Sequence, residues 1–207
     1  MTTTTDLRAL NARTYEIMES GAYADFVQLI HPEAHNREAF TDEPPAARVS
    51  GPPGFYATKQ WLHTAFEDLT WKIHDVVVDG DLVVSHVTMS GRHARPFVAY
   101  NEAGDVDEVF PPTDRRFATT QTHWLRFSGD QVIDHWANRD DLGTAKQLAW
   151  VPPSPVYLIR MAIAKRRAKR ASAAPQSWRR RLVPWPAVGV IPFVEAPQAL
   201  EDLRLLE

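Results

Sequence analysis

The sequence predicts an α+β fold in which three N-terminal helices cover a strongly curved antiparallel sheet. Three features of the chain predict it. Apolar residues recur at helical spacing in three segments that end at Leu69. From Trp71 onward the period becomes that of β-strands, in two hairpins centred on the turns Asp79-Gly80-Asp81 and Ser128-Gly129-Asp130. Helices followed by strands are typical of helices packed on one side of an antiparallel sheet.

Composition narrows the class of protein. With 207 residues and 44% hydrophobic content, the chain can bury one main core and carry an appendage. It contains no cysteine, which excludes disulfides, thiolate metal sites and cysteine nucleophiles. The first residues lack the basic and apolar regions of a secretory signal, and no apolar run reaches the roughly 20 residues that span a bilayer. We therefore expect a cytoplasmic protein.

The predicted helices and the segment between them follow from apolar spacing and helix breakers. Helices are expected at residues 7–18, 23–30 and 55–69, with Gly21 separating the first two. Residues 31–53 contain five prolines and Gly51, so they are predicted to be a loop.

The predicted strands pair residues 72–78 with 82–89 and residues 116–127 with 131–138. Between the hairpins, residues 92–115 are expected to form an irregular, lid-like excursion, because they contain three prolines and Gly104. A short helix at 141–148 completes this part, with Asp140 as its candidate N-cap. Long, bent strands of this kind enclose a space with an open end.

The chain beyond Trp150 is predicted to be separate from the main domain. Residues 1–150 form the α+β domain, and residues 151–207 form a basic C-terminal helix and an extended Pro/Trp-rich arm. Nine Lys or Arg and no acidic residue lie between Arg160 and Arg181, whereas the rest of the chain is acidic. An anionic membrane or nucleic acid would suit this tail, but we favour a clamp on the acidic body of the same or a neighbouring subunit.

Three stretches carry a family resemblance. They are GPPGFYATKQWLHTAFEDLTWKIHDVVVDGDLVVSHVTMSG, FPPTDRRFATTQTHWLRFSGDQVIDHW and NRDDLGTAKQL, arranged in the order described above. In these stretches the chain resembles the SnoaL-like polyketide cyclases, also called ester cyclases, of the nuclear transport factor 2-like superfamily. The resemblance covers roughly residues 6–150.

The resemblance implies a cone-shaped barrel with one deep apolar pocket, usually in a homo-oligomer, a dimer or higher. It also implies a cofactor-free intramolecular aldol closure on a polyketide ester, a reaction of secondary metabolism, with a hydrophobic small molecule as partner and no nucleic acid. Because relatives on this fold also hydrolyse epoxides, dehydrate, isomerise or only bind, two alternatives stay open. One is an epoxide hydrolase or dehydratase, and the other is a non-catalytic ligand-binding or assembly module.

His123 is the main catalytic candidate. It alternates with Gln121 and Leu125 on the apolar face of its strand, where the family has its pocket histidine. A core histidine with a hydrogen-bonded partner explains the pattern equally well. In the family pattern an aspartate follows the Trp of the last strand, fourteen residues after the histidine, and this position is Ala137. Alanine cannot transfer a proton, so another group must supply the acid and base.

Asp140 and His35 are the replacements we expect, although Asp140 at the start of a helix is explained equally well as an N-cap. His135 shares a face with Ala137, so it faces the pocket unless a bulge turns it outward. The HPEAHN stretch lacks the HExxH spacing, so we predict no metal site. The expected substrate-binding residues are Tyr15, Asn36, Trp61, Gln121, His135, Trp136 and Asn138.

Overall fold

The computed structural model describes residues 6–173, which contain five α-helices, seven strands and two short 3-10 helices. The helices are α1 (Leu7–Ser20), α2 (Tyr23–Leu29), α3 (Pro52–Ala65), α4 (Asp141–Gln147) and α5 (Pro155–Ala173). The strands are β1 (Ile30–Asn36), β2 (Phe66–Asp79), β3 (Leu82–His93), β4 (Phe97–Tyr100), β5 (Val106–Phe110), β6 (Arg116–Ser128) and β7 (Gln131–Arg139). The predicted Pro/Trp-rich arm lies outside the described residues.

Five strands form one curved sheet in the order β1-β7-β6-β3-β2. The predicted hairpins β2–β3 and β6–β7 are present and are antiparallel. The prediction of a wholly antiparallel sheet is wrong, because β1 pairs with β7 in parallel and the sheet is therefore mixed. Register shifts interrupt the β2–β3 and β6–β7 ladders, and Asp68 within one of them has a φ of 55°. Such bulges increase the local bend of a sheet.

The predicted loop at residues 31–53 contains strand β1 and the two 3-10 helices, Arg37–Phe40 and Pro45–Arg48. Pro32 is tolerated within β1 because this strand lies at the edge of the sheet, where one side needs no donor. Gly51, with a φ of 78°, then brings the chain back against β1, and its amide donates to the Ala34 carbonyl at 2.8 Å. A Cβ at this position would lie 2.4 Å from the Pro32 carbonyl oxygen.

The helices before the sheet bury their apolar residues against its inner face. Asp6 caps α1 by accepting from the amides of Arg8 and Ala9, and Ile17 on the same helix is 1% exposed. Phe26 on α2 is fully buried beside it. Burial of side chains of this size stabilises the fold by about 2 kcal/mol each. The helices are thereby fixed above the strands that carry the predicted site residues.

The predicted irregular excursion at 92–115 contains an ordered two-stranded ribbon, in which β4 pairs with β5. Phe97 and Phe110 from its two strands stack on Trp150, with ring centroids 5.4 Å and 4.2 Å away. The ribbon is therefore a wall of the molecule rather than a loose lid.

The basic helix α5 packs on strand β5. Its Tyr157 is buried and donates from its hydroxyl to the Pro111 carbonyl at 3.0 Å, and Lys165 forms a 2.7 Å ion pair with Glu108. Val156 and Ile159, by contrast, are exposed. Among residues 6–173, none of the helices has the length and apolarity that crossing a membrane requires.

Candidate active site

A cavity of about 370 Å³ lies between the helices and the inner face of the sheet. This volume is within the range of small-molecule sites. Its apolar wall is aromatic and includes Trp61, Phe66, Phe97, Phe110, Phe117 and Trp150. Polar side chains from β1, β6 and β7 form another part of the wall. The cavity can therefore enclose a flat hydrophobic molecule and present polar groups to it.

Three neighbouring strands bring two histidines into contact in this polar wall. His123 on β6 lies opposite Ala137 on β7, while His135 on β7 lies opposite Asn36 on β1. Both imidazoles point inward, and their rings stack with centroids 5.2 Å apart. His123 Nδ1 lies 2.9 Å from His135 Nε2, and His123 Nε2 lies 2.9 Å from Gln121 Oε1.

The hydrogen bonds continue away from the histidines toward a buried carboxyl group. His135 Nδ1 lies 2.8 Å from Asn36 Oδ1, and Asn36 Nδ2 donates to Thr58 Oγ1 at 3.2 Å. The Thr58 hydroxyl donates to Glu43 Oε2. We call this series the polar chain, which consists of Gln121, His123, His135, Asn36, Thr58 and Glu43. All six residues line the cavity.

The protons of the polar chain can be counted. The two neutral imidazoles have two N–H groups between them. Three hydrogen bonds need a donor, however: one to the Gln121 oxygen, one between the two rings, and one to the Asn36 oxygen. A flip of the Gln121 amide supplies the missing donor, because the amide nitrogen then donates to His123. The flip costs little, since in the unflipped form that nitrogen faces the Met89 sulfur, a weak acceptor, at 3.3 Å. Every donor in the chain then points toward Glu43.

Burial shifts the pKa values along the polar chain in opposite directions. It lowers the pKa of His123 well below its ordinary value, with further lowering from His135 and Arg139. It also lowers the pKa of His135, to about 4. For Glu43, which is 2% exposed, burial raises the pKa to about 7 despite the hydrogen bond from Thr58. Near neutral pH both histidines are uncharged, and Glu43 holds a proton more readily than an exposed carboxyl does.

Arg139 occupies the inner face of β7 next to a group of acidic residues. Its guanidinium lies 3.5 Å from both Asp42 and Asp141 and 3.8 Å from Glu38. Glu38 also accepts a hydrogen bond from the backbone amide of Ala137 at 2.9 Å. Arg139 offsets the repulsion among these three carboxylates, although burial still raises the pKa of Asp141.

Tyr15 fixes the His123 ring from the helix side. Its ring meets the imidazole edge-on, with centroids 5.8 Å apart, and its hydroxyl is 2.6 Å from the Ser85 hydroxyl. Ser85 in turn donates to Asn11 Oδ1 at 3.1 Å. Burial raises the pKa of Tyr15 to about 12, so the phenol stays protonated. His123 therefore has little freedom to rotate.

The structure brings most of the predicted site residues to the cavity. His123, Gln121, His135, Asn36, Tyr15 and Trp61 all line it. Two predicted catalytic residues lie elsewhere. Asp140 caps α4 by accepting from the Gly143 amide at 2.8 Å, and His35 is exposed, with Ser50 as its neighbour. Neither side chain reaches the cavity.

Two predicted substrate-binding residues are also misplaced. Trp136 and Asn138 alternate with His135 and Ala137 along β7, so they point to the outer face of the sheet. Trp136 stacks there on Trp124, with ring centroids 6.2 Å apart.

Several polar cavity residues were not predicted from the sequence, among them Arg139, Thr58 and Glu43. Arg139 carried a usable signal, because it alternates with His135 and Ala137 on β7. Thr58 and Glu43 carried none, since a threonine within an amphipathic helix and an acid before two prolines usually face solvent. Among residues 6–173, no group of three or more His, Asp or Glu side chains is arranged to hold a metal ion.

Comparison with known proteins shows which family the chain belongs to. A model of the SnoaL-like polyketide cyclase family matches residues 8–148. Aklanonic acid methyl ester cyclase DnrD of Streptomyces peucetius is 30% identical over 144 residues, which are 69% of this chain and 90% of DnrD. Nogalonic acid methyl ester cyclase of Streptomyces nogalater is 27% identical over 131 residues, which are 62% of this chain and 87% of that protein.

Solved structures share the fold at lower identity. TsrD from Streptomyces laurentii has a TM-score of 0.55 and 24% identity, over 69% of this chain and 93% of TsrD. A SnoaL-like polyketide cyclase from Agrobacterium tumefaciens has a TM-score of 0.53 and 13% identity, over 70% of this chain and 99% of that protein. The family model covers more than half of the sequence, and the solved structures share the fold. The chain belongs to the SnoaL-like polyketide cyclase family.

Proposed function

We propose that the protein is a cofactor-independent cyclase that closes a ring in a polyketide ester, or a similar hydrophobic small molecule, by an intramolecular aldol-type reaction. The observation that carries the proposal is the cavity of about 370 Å³, in which an aromatic wall faces the polar chain. Curated relatives whose names describe methyl ester cyclases support it. Their substrates, aklanonic and nogalonic acid methyl esters, indicate the class of ester to test first.

An aldol closure places simple demands on the protein. One group removes a proton from carbon beside a carbonyl, donors stabilise the enolate oxygen, and the new alkoxide takes a proton back. His123 is the proposed catalytic residue, because its Nε2 accepts a hydrogen bond from the Gln121 amide, and an O–H group of an enolised substrate can donate to it in place of that amide. His135 and Asn36 orient it, and Tyr15 and Trp61 contact the rings of the substrate.

His123→Ala tests the proposal. Incubation of the protein with aklanonic acid methyl ester as probe should give a ring-closed product of unchanged mass, separated from the substrate by chromatography. Loss of a residue that orients the reacting group of the substrate should lower kcat about 10²-fold. His86→Ala is the matched control, because His86 lies exposed on the outer face of β3 and should leave kcat unchanged. Turnover by His123→Ala within twofold of the unmodified protein would contradict the role of His123.

The alternatives have less support. Epoxide opening through Asp140 would need that carboxylate in the cavity, but it is bound to the Gly143 amide. A purely structural module would be expected to fill its own cavity with side chains, whereas this one is open. We also propose that the protein is a homo-oligomeric, cytoplasmic enzyme of secondary metabolism. Its proposed main domain is residues 1–150, and its C-terminal part is residues 151–207.

A further inference from the structure

The proposed function leaves one chemical role unfilled. Position 137, where the family resemblance implies an aspartate, is an alanine, and both buried histidines are too weakly basic to remove a proton from carbon efficiently. If the protein is a cyclase, as proposed above, another group in the cavity must act as the general acid and base.

Glu43 is a buried carboxyl that reaches the cavity from an unexpected part of the chain. It lies between the two 3-10 helices, and Arg48 holds this loop by donating to the backbone carbonyls of Glu43 and Asn101 at 3.0 Å and 2.7 Å. The Tyr100 amide also donates to the Asp42 carbonyl at 3.0 Å. Both contacts fasten the loop to the β4–β5 ribbon. The Glu43 side chain is thereby fixed in the cavity wall, with 2% exposure.

The other cavity carboxylates are engaged differently. Glu38, Asp42 and Asp141 surround Arg139, so their carboxylate oxygens are engaged with its guanidinium. Glu43 forms no ion pair with a described residue, and Thr58 is its side-chain hydrogen-bond donor within residues 6–173. Thr58 connects it through Asn36 to the two histidines. Glu43 is thus the carboxyl that is both buried and free to accept a proton.

We propose that Glu43 is the acid and base of the ring closure and replaces the carboxylate that is absent at Ala137. The Glu43 carboxylate removes a proton from carbon, so a C–H bond breaks, an O–H bond forms and the electron pair becomes an enolate. The enolate carbon attacks the second carbonyl, which forms the C–C bond and leaves an alkoxide. The alkoxide takes the proton back from the Glu43 carboxyl. Glu43 returns to a carboxylate, and the product is an isomer of the substrate.

The surroundings of Glu43 tune it for this task. Burial raises its pKa to about 7, near the working pH at which a general base is most effective. The facing groups act in both directions, because Thr58 and Arg139 lower the pKa while Asp42 and Glu38 raise it. Arg48 contacts the backbone carbonyl of Glu43. A carboxyl in this environment can release and recover a proton near neutral pH.

Glu43→Gln is the direct test, because it keeps the size of the side chain and removes the proton transfer. We expect kcat to fall about 10²-fold or more with little change in KM. In the unmodified protein kcat should rise with pH as Glu43 ionises, and this limb of the pH profile should disappear in Glu43→Gln. Glu33→Gln is the control, because Glu33 is exposed on β1 and should leave both rate and profile unchanged. Glu43→Gln with the rate and profile of the unmodified protein would overturn the proposal.

Two further variants, Thr58→Val and Glu38→Gln, test whether Glu43 is the carboxyl that produces this limb of the pH profile. Thr58→Val removes the hydrogen bond that lowers the pKa of Glu43, so the same limb should move to higher pH. An unmoved limb, or a limb that is lost in Glu38→Gln instead, would assign the base to another carboxyl and overturn the proposal.

Two measurements that need no ring closure separate this inference from the proposed function. Infrared titration should show a protonated carboxyl band that disappears near neutral pH and is absent in Glu43→Gln. Exchange of the acidic C–H of a β-keto ester probe in D₂O should be catalysed by the protein and lost in Glu43→Gln. Exchange and titration without ring closure would refute the cyclase function and leave Glu43 as the base. Absence of either signal in the unmodified protein would refute Glu43.

Discussion

At the scale of single residues, burial acts in opposite directions on the two kinds of titratable side chain around the cavity. It lowers the pKa values of His123 and His135, because the low-dielectric wall disfavours the imidazolium. It raises the pKa of Glu43 for the same reason, because here the charged form is the carboxylate. The polar chain therefore carries little net charge at neutral pH, which suits a wall that faces a hydrophobic ligand.

The pKa of Glu43 also predicts how stability changes with pH. Its value rises from 4.5 in the unfolded chain to about 7 in the folded protein, so between these values the folded state holds a proton that the unfolded state has released. The free energy of unfolding must then fall as pH rises, by about 3 kcal/mol between pH 4.5 and 7. Glu43→Gln should abolish this pH-dependent fall in the free energy of unfolding. Urea denaturation of the unmodified protein and of Glu43→Gln, each at about pH 4.5 and about pH 7.5, measures the difference. An equal pH dependence in the two proteins would contradict the buried carboxyl.

At the scale of elements, strand β7 decides which side chains the cavity receives. Its alternation turns His135, Ala137 and Arg139 inward and Trp136 outward. The parallel pairing of β1 with β7 then brings Asn36 beside His135. Ala137 therefore faces the cavity opposite His123, at the place where a carboxylate would meet the same substrate.

A carboxylate restored on β7 should rescue the loss of Glu43. In the Glu43→Gln background, Ala137→Asp should raise kcat at least tenfold, because a general base returns to the inner face beside His123. Ala137→Asn in the same background is the control and should not rescue. Equal rates for the two double variants would show that position 137 cannot supply the base.

At the scale of the whole molecule, helix α5 is attached to the main domain by an aromatic anchor, Tyr157, by the buried Ala168, by hydrogen bonds to Pro111 and Pro112, and by one ion pair. Tyr157 is 7% exposed and belongs to the core that contains Trp150, whereas Leu158 beside it is 50% exposed. The Lys165–Glu108 ion pair joins α5 to strand β5. An exposed pair of this kind adds only about 0–1 kcal/mol, so the anchor should dominate.

The attachment can be measured by substitution of neighbouring residues. Tyr157→Ala should lower the free energy of unfolding by about 3 kcal/mol, since it leaves a cavity in the core and removes a hydrogen bond to Pro111. Leu158→Ala should change it by no more than about 0.5 kcal/mol, because that side chain faces solvent. Thermal denaturation of the two variants tests the contrast. Equal effects would mean that α5 does not dock through Tyr157.

Local sequence patterns predicted much of the fold and part of the site. The family resemblance is confirmed, as are an α+β fold with a curved sheet and the two hairpins, because periodicity and Gly-containing turns act over neighbouring residues. The alternation around His123 placed it and Gln121 on the inner face. Trp136 and Asn138 were wrongly predicted to bind substrate, because local alternation on β7 does not show which face is inward, and Asp140 instead caps α4.

The sequence by itself determined the family, the strand periodicity and the missing carboxylate at Ala137, because each is a property of one residue or of its close neighbours. Only the tertiary structure decided which groups meet in the cavity. The parallel edge strand β1 and the contact of Asn36 with His135 join residues about one hundred positions apart. Glu43 likewise enters the cavity only because Arg48 ties its loop to the β4–β5 ribbon. Burial, which sets the pKa of that carboxyl, is a property of the packed chain.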